Sequence, residues 1–503
     1  MEYETVIGLE IHSELKTRTK MFCDSLNDPN EKHPNINICP VCMGHPGTLP
    51  VANREAIESV IKVGLALNGS IPPYSQFDRK NYFYPDLPKG YQISQYQHPL
   101  VRGGFLEITK KDGTVKKIRI TRIHLEEDAG RLIHDEKKGT SLVDFNRAGI
   151  PLMELVTEPD LRDAEEARLF AEEFRAILRF LGASDADMEK GQMRIEANVS
   201  IRLKGSEKFG TKVEVKNINS FRFVGDAIAY EIERQKKVLN GGENVVQETR
   251  GWDEKKNVTV SQRLKEEAHD YRYFPEPDLP PLNITQELVD TLAVRVPELP
   301  QKKLERFQKE YGMGQEAARM IAYDKDMAAY FEQAASEVVS WCADSADAKT
   351  LKGEPRAIAC NQFELLKTLS NYMTTSLQAL IAEASASISE ILITPENLAE
   401  LVTYVALGKL SQPAAKEVLK IMFQTGADPS VVADEKNLWQ VSDTGELDGI
   451  VSKVIAGNEK TVAEIKAGKT EAVQFIVGQV MKESKGNANP GVVQELIKKH
   501  LLQ

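Results

Sequence analysis

The residues from Thr5 to Leu15 read TVIGLEIHSEL, which sets a carboxylate and an imidazole two positions apart in an otherwise apolar run. Side chains alternate along an extended chain, so Val6, Gly8, Glu10 and His12 share one face while Ile7, Leu9 and Ile11 share the other. With the apolar trio facing a core, Glu10 and His12 converge on a point that could hold a metal ion or a phosphate. A polar strand edge open to water is the competing reading. The run from Arg194 to Ile201 repeats the pattern, with Arg194, Glu196, Asn198 and Ser200 on one face, and Lys212, Glu214 and Lys216 do the same. A sheet with one apolar face and another lined by Glu, Asn, Lys and Arg suits a charged ligand held with a divalent cation. Glu154 stands alone in the apolar run PLMELV, where a carboxylate is costly unless paired, ligated or protonated. In HLEEDAG, from His124 to Gly130, the neighbours Glu126 and Glu127 point to opposite faces of an extended chain, so a single ion takes one of them.

Two further groups carry chemistry. From Asp78 to Gln95, Arg79, Lys80 and Lys89 alternate with tyrosines and turn residues, a mixture that stacks bases and neutralises phosphates, or else simply packs a loop. Cys39 and Cys42 form a Cys-x-x-Cys knuckle, half of a tetrahedral zinc site, and Cys23 supplies a third thiolate. His33 or His45 could complete it. Cys342 and Cys360 have no such company and read as plain thiols.

The elements that position these groups form two styles of text. Up to about Ile284 short alternating runs predict strands over Val6–Leu15, Lys117–Glu126, Leu142–Arg147, Leu152–Thr157, Arg194–Leu203 and Lys212–Asn217, with helices over Arg54–Leu67 and Asp163–Leu181. Regular strand-helix alternation is scarce, which predicts an α+β fold with an antiparallel or mixed sheet. The proline run Pro275 to Pro281 marks a break, and helical text follows, with Thr394-Pro395 as a further helix start. The block from Cys342 to Cys360 reads as a loop. No arginine occurs after Arg356, so the last third is basic through lysine alone.

Bulk properties narrow the classes. The chain has 503 residues, enough for several cores, and a net charge of -11, which excludes nucleic-acid binding through a global basic field. No apolar stretch is long enough for a membrane span and the acidic start is no targeting peptide, so a cytoplasmic protein is expected. A P-loop, a G-x-S-x-G elbow and a strand-linked G-x-G-x-x-G are absent. Any ATP must therefore be held by metal and side chains.

Longer motifs agree with one family along essentially the whole chain: ETVIGLEIHSEL, FDRKNYFYPDLPKGYQISQ, HLEEDAG, SLVDFNRAGIPLMELV, KFGTKVEVKNINSF, DYRYFPEPDLP and the tail motif SKGNANP. The sequence resembles the GatB family, the B subunits of the tRNA-dependent amidotransferases. That resemblance implies a heterotrimer with a glutamine-hydrolysing A-type amidase and a small C-type partner. The GatB member would use ATP and Mg2+ to phosphorylate the side-chain carboxylate of Glu on tRNA(Gln) or Asp on tRNA(Asn), for amidation by tunnelled ammonia. It also implies three parts: a catalytic cradle over 1–293, a helical domain over 294–393, and a YqeY-like tail over 394–503 that grips tRNA. By the same resemblance Glu10, His12, Glu127 and Glu154 form the magnesium site, with Glu126 the rival to Glu127. Glu196, Asn198, Glu214 and Lys216 line the pocket, and Arg79, Lys80 and Lys212 contact phosphates. Tail lysines Lys466, Lys469, Lys482 and Lys485 and the helix start after Asn489 would meet the RNA backbone. The rival class is a non-catalytic tRNA-binding scaffold; a small-molecule hydrolase fits the lysine-bearing tail poorly.

Overall fold

The computed structural model describes residues 2–135, 137–264, 271–344, 362–440, 444–466, 472–484 and 488–501. Lys469, Lys485, Cys360 and most of the expected 342–360 loop lie outside them. Cys342 itself belongs to the helix Lys325–Asp344. The chain forms two compact units, Met1–Leu299 and Pro300–Gln503.

The first unit is built on a mixed sheet, and period-two alternation decides how it folds. Strand β1 (Tyr3–Glu14) opens the chain yet lies in the sheet's interior, paired antiparallel with β10 (Pro151–Thr157) on one side and β11 (Met193–Leu203) on the other. Beyond β10 comes β7 (Val115–Glu127), with β5 (Val101–Arg102) and β6 (Phe105–Thr109) on its far edge. Beyond β11 come β12 (Val213–Ile218), β13 (Glu248–Asp253) and β14 (Val258–Leu264). The β12–β13 pairing is parallel and the others in this sheet are antiparallel, so the α+β, mixed-sheet expectation holds.

Ile7, Leu9, Ile11, Leu125, Met153, Leu155, Ile195, Ala197 and Val199 are buried in one core on the apolar face of this sheet. Three helices pack onto it: α1 (Arg54–Ala66), α2 (Ala164–Phe180) and α3 (Phe221–Asn240). Each starts where a side chain accepts from a free backbone N–H: Asn53 from Ala56, Asp163 from Glu166 and Ser220 from Phe223. The amphipathic stripe of α2 inserts Phe170 and Phe174, both fully buried and each stabilising by about 1.5–3 kcal/mol. Helix α3 and strands β13 and β14 were not expected from the sequence pattern.

A small sheet of β3 (Asp78–Asn81), β4 (Tyr91–Ser94) and β15 (Phe274–Pro275) stands beside the end of β7. The proline run is therefore a strap and not the expected break. Phe274–Pro275 pairs with β3, Leu282–Asn283 pairs with Tyr74–Ser75, and Leu279 and Ile284 enter the first unit's core. Prolines suit these short pairings because an edge position does not need their missing N–H.

The second unit is helical and holds two cores. One runs from Phe307 to Ala433 and the other from Leu447 to Leu501. Thr394 does cap a helix, Pro395–Ala406, but Leu398, Leu401 and Val402 pack into the same core as Phe331 and Val338. The Tyr330 hydroxyl donates to the carbonyls of Ile393 and Thr394, at 3.1 Å each. The expected boundary at 393/394 thus cuts through one core, and the change of core comes between Ala433 and Leu447. No helix among the described residues is long and apolar enough to cross a membrane.

Candidate active site

The polar face of the large sheet carries the chemistry. Cross-strand register sets Arg194, His12, Glu154 and His124 in one row across β11, β1, β10 and β7. Glu10 lies opposite Glu196, and Asn198 lies opposite Glu214. Side chains directly across an antiparallel pair come within interacting distance, so this row must either pair its charges or bind something.

Two acidic groups result. His12 Nε2 is 3.3 Å from Glu154 and 3.5 Å from Glu126, and His124 Nε2 is 3.4 Å from Glu154. Potential ligand atoms of His12, Glu126 and Glu154 lie within 4.8 Å of one another. The same is true of Glu10, Glu196 and Glu214. Lys216 bridges the second group, 2.8 Å from Glu196 and 3.8 Å from Glu214, and Asn198 Nδ2 donates to Glu10 at 2.8 Å. Asn198 Oδ1 is buried and makes no hydrogen bond, an oxygen acceptor left over beside Glu10. Hard oxygen donors in two clusters, with one imidazole, fit divalent magnesium.

Electrostatics agree with that fit. Burial opposes a charge on His12, yet hydrogen bonds to Glu126 and Glu154 outweigh it and raise its pKa to about 10. Burial likewise opposes the charged forms of Glu126 and Glu154, but His12, with His124 beside Glu154, keeps both below the ordinary carboxylate range. Near Glu14, burial and the Asp128 carboxylate push its pKa up to about 8.

The cleft above these groups encloses about 1100 Å³, open mouth included. Lys80 faces the acids from its wall. Burial lowers the Lys80 pKa, but Glu126 and Glu154 prevail and raise it. Its ammonium sits 5.0 Å from the Tyr271 ring centre and 5.8 Å from that of Tyr82. Tyr96 and Tyr273 stack beside it, with ring centres 4.3 Å apart.

Several expected residues fall elsewhere. Glu127 has the parity of Leu125 and points away from the cleft, where Lys89 Nζ at 2.5 Å and the Ile93 N–H at 2.9 Å hold it. Glu126 takes the place expected of Glu127, because β7 pairs with β10 in the phase that sets His124 opposite Glu154. Arg79 is held by Glu276 at 2.6 Å and Asp278 at 3.1 Å and lies outside the residues lining the cleft, so it secures the strap. Lys212 is exposed in a neighbouring groove shared with Gly8 and Glu10. Tyr82, Ser94, Arg122, His124, Asp128, Arg194, Tyr271 and Tyr273 line the cleft without having been assigned a role from sequence. His124 and Arg194 had a signal, since each shares strand parity with an expected acid.

The three cysteines do meet. The Sγ atoms of Cys23, Cys39 and Cys42 lie within 4.8 Å of one another, and the Cys39 N–H donates to Cys42 Sγ at 3.1 Å. A hydrogen bond from Cys23 lowers the Cys42 pKa to about 4 and raises that of Cys23. Neither His33 nor His45 belongs to that cluster among the described residues. His33 is instead bound to Glu31 at 2.9 Å, and His45 shares a cavity with Cys23 and Cys42.

Family comparison covers the sheet-bearing unit and most of the helical one. Residues 5–290 match the family described as the GatB/GatE catalytic domain, and residues 358–501 match the one described as the GatB domain. The chain belongs to the GatB family, the B subunits of aspartyl/glutamyl-tRNA(Asn/Gln) amidotransferases. It is 46% identical over 503 residues to the family member from Carboxydothermus hydrogenoformans, covering 99% of each chain. Identity is 48% over 501 residues to the member from Persephonella marina and 47% over 501 residues to that from Thermodesulfovibrio yellowstonii, with full coverage of both.

Proposed function

We propose that the acid-lined cleft catalyses ATP-dependent phosphorylation of the side-chain carboxylate of Glu on tRNA(Gln), of Asp on tRNA(Asn), or of both. A carboxylate oxygen of the aminoacyl group attacks the γ-phosphorus and ADP departs. Ammonia released from glutamine by the A-type amidase then attacks the acyl carbon, phosphate leaves, and a proton goes to solvent. Bound magnesium supplies charge neutralisation for the phosphates and in-line alignment. His12, Glu126 and Glu154 are assigned to one ion, and Glu10, Glu196 and Glu214, with Asn198 Oδ1 beside them, to a second. Lys80 stabilises negative charge developing on the transferred phosphoryl group, and the tyrosines around it exclude water. Lys216 keeps Glu196 and Glu214 from repelling each other before the ion arrives. The amidase and the small C-type partner complete a cytoplasmic heterotrimer, the helical tail binds tRNA, and Cys23, Cys39 and Cys42 hold a structural zinc.

The observation that carries this reading is the convergence of two acidic clusters on one sheet face, with the half-buried Lys80 opposite them in the cleft wall. The test is phosphate release from ATP by this chain supplied with mischarged tRNA and ammonium, without the amidase. Release that depends on the tRNA is expected. Its absence, with tRNA binding retained, would leave a tRNA-binding scaffold.

A further inference from the structure

Lys20 lies between β1 and α1 and is 0% exposed, the only lysine among the described residues buried to that degree. A buried ammonium is tolerated when an anion answers it. Among the described residues no carboxylate comes within ion-pair distance of Lys20. Its Nζ instead lies 3.2 Å from the Phe145 carbonyl and 3.9 Å from Cys42 Sγ. The potential metal ligands nearest it are the clustered cysteines, Cys42 first.

The enclosure is closed by backbone. Gly149, at φ +85, passes so close that a Cβ there would stand 3.4 Å from the Cys42 side chain and 3.6 Å from that of Lys20. The Met21 N–H donates to the Gly149 carbonyl at 2.7 Å, which fixes that loop over the pair. Lys20 itself is out of contact with water, so its charge calls for an answering one close by.

Charge arithmetic then constrains the metal. A divalent ion with three thiolates carries a net charge of -1, which one ammonium cancels. A fourth anionic ligand would leave the pocket negative, whereas water or an imidazole keeps it neutral. We propose that Lys20 is the built-in counter-charge of a three-thiolate zinc centre formed by Cys23, Cys39 and Cys42, whose fourth ligand is a neutral donor. This rests on the zinc reading above. It makes the exposed Asp24, which borders the same cysteines, a bystander.

The full chain, purified without chelator, is the material for the test. Zinc content of the unaltered protein decides the zinc reading alone: if zinc stays far below one per chain after supplementation, that reading fails whatever Lys20 does. With zinc present, its transfer to a chromophoric chelator is timed for four proteins. Lys20→Met should release zinc about tenfold faster or more than the unaltered protein, since a buried charge has lost its partner. Lys20→Met combined with Cys23→His restores neutrality with a neutral ligand and should return release to within about threefold of the unaltered rate. Asp24→Asn should leave release unchanged. Equal release from Lys20→Met and the unaltered protein overturns the proposal, as does faster release from Asp24→Asn. If Lys20→Met does not fold, a folded, zinc-bearing double variant supports the proposal and an unfolded one overturns it.

Discussion

His12 shows how much of the site depends on single atoms. Burial opposes its charge, but Glu126 and Glu154 raise its pKa to about 10, so the ring is protonated at pH 7, with Nε2 between the two carboxylates. Direct ligation by Nε2 must displace that proton. Calorimetric titration with magnesium at pH 7, in buffers of different ionisation enthalpy, should therefore show release of about one proton per chain, and affinity at the His12 site should tighten as pH rises toward 10. No release would place a water between ring and ion. Glu126 and Glu127 make the second residue-scale contrast. Glu126→Gln should reduce tRNA-dependent phosphate release by about 100-fold or more, because it removes charge aimed at the ion. Glu127→Gln should change that rate little and lower stability by about 2–4 kcal/mol in thermal melts, since it leaves Lys89 without its partner. The shared face of Glu10 and His12 was legible because strand parity is local. The choice between Glu126 and Glu127 was not, because it depends on how β7 meets a strand that begins at Pro151.

Parity also explains which elements could be read. Strands β1 and β11 alternate and β10 is a short apolar run, and all three were legible with ends within three residues. Helix α3 hid because its buried stripe, Val224, Ala227, Ile228 and Ile232, is interrupted by Glu231 and Gln235. Glu231 is fully buried and answered by Arg234 at 2.7 Å and by the Thr259 hydroxyl at 3.0 Å. Arg234 is a local i,i+3 partner, but a charged pair reads as surface text, and Thr259 lies 28 residues away. The Ser220 cap was the available sign, its hydroxyl accepting from Phe223 N–H at 3.2 Å. Ser220→Ala should cost about 1 kcal/mol and lower the first unit's melting temperature by roughly 2 °C, with magnesium affinity unchanged. A loss of magnesium binding in that variant would mean that α3 positions the cleft and does more than cover the core.

At the scale of the whole chain, cores and not helix starts decide where it divides. Thr394-Pro395 announced a helix correctly, but a capping signal carries no information about which core that helix joins. Ending the chain at residue 393 should expose apolar surface in the second unit and cause aggregation. Ending it at residue 440 should leave the Phe307–Ala433 core intact while weakening tRNA binding by about tenfold or more and flattening its salt dependence. Circular dichroism melts and filter binding at two salt concentrations check both. The interior position of β1 has a consequence for synthesis. Strand β1 is synthesised well before its partners β10 and β11, which begin at Pro151 and Met193. At roughly 5–20 residues per second, the nascent chain carries an unpaired strand with one apolar face for about 7–27 s before the first of them is made. Slow codons between β1 and Pro151 would lengthen that exposure and raise aggregation of the nascent chain, which a pulse-labelled pelleting assay would read.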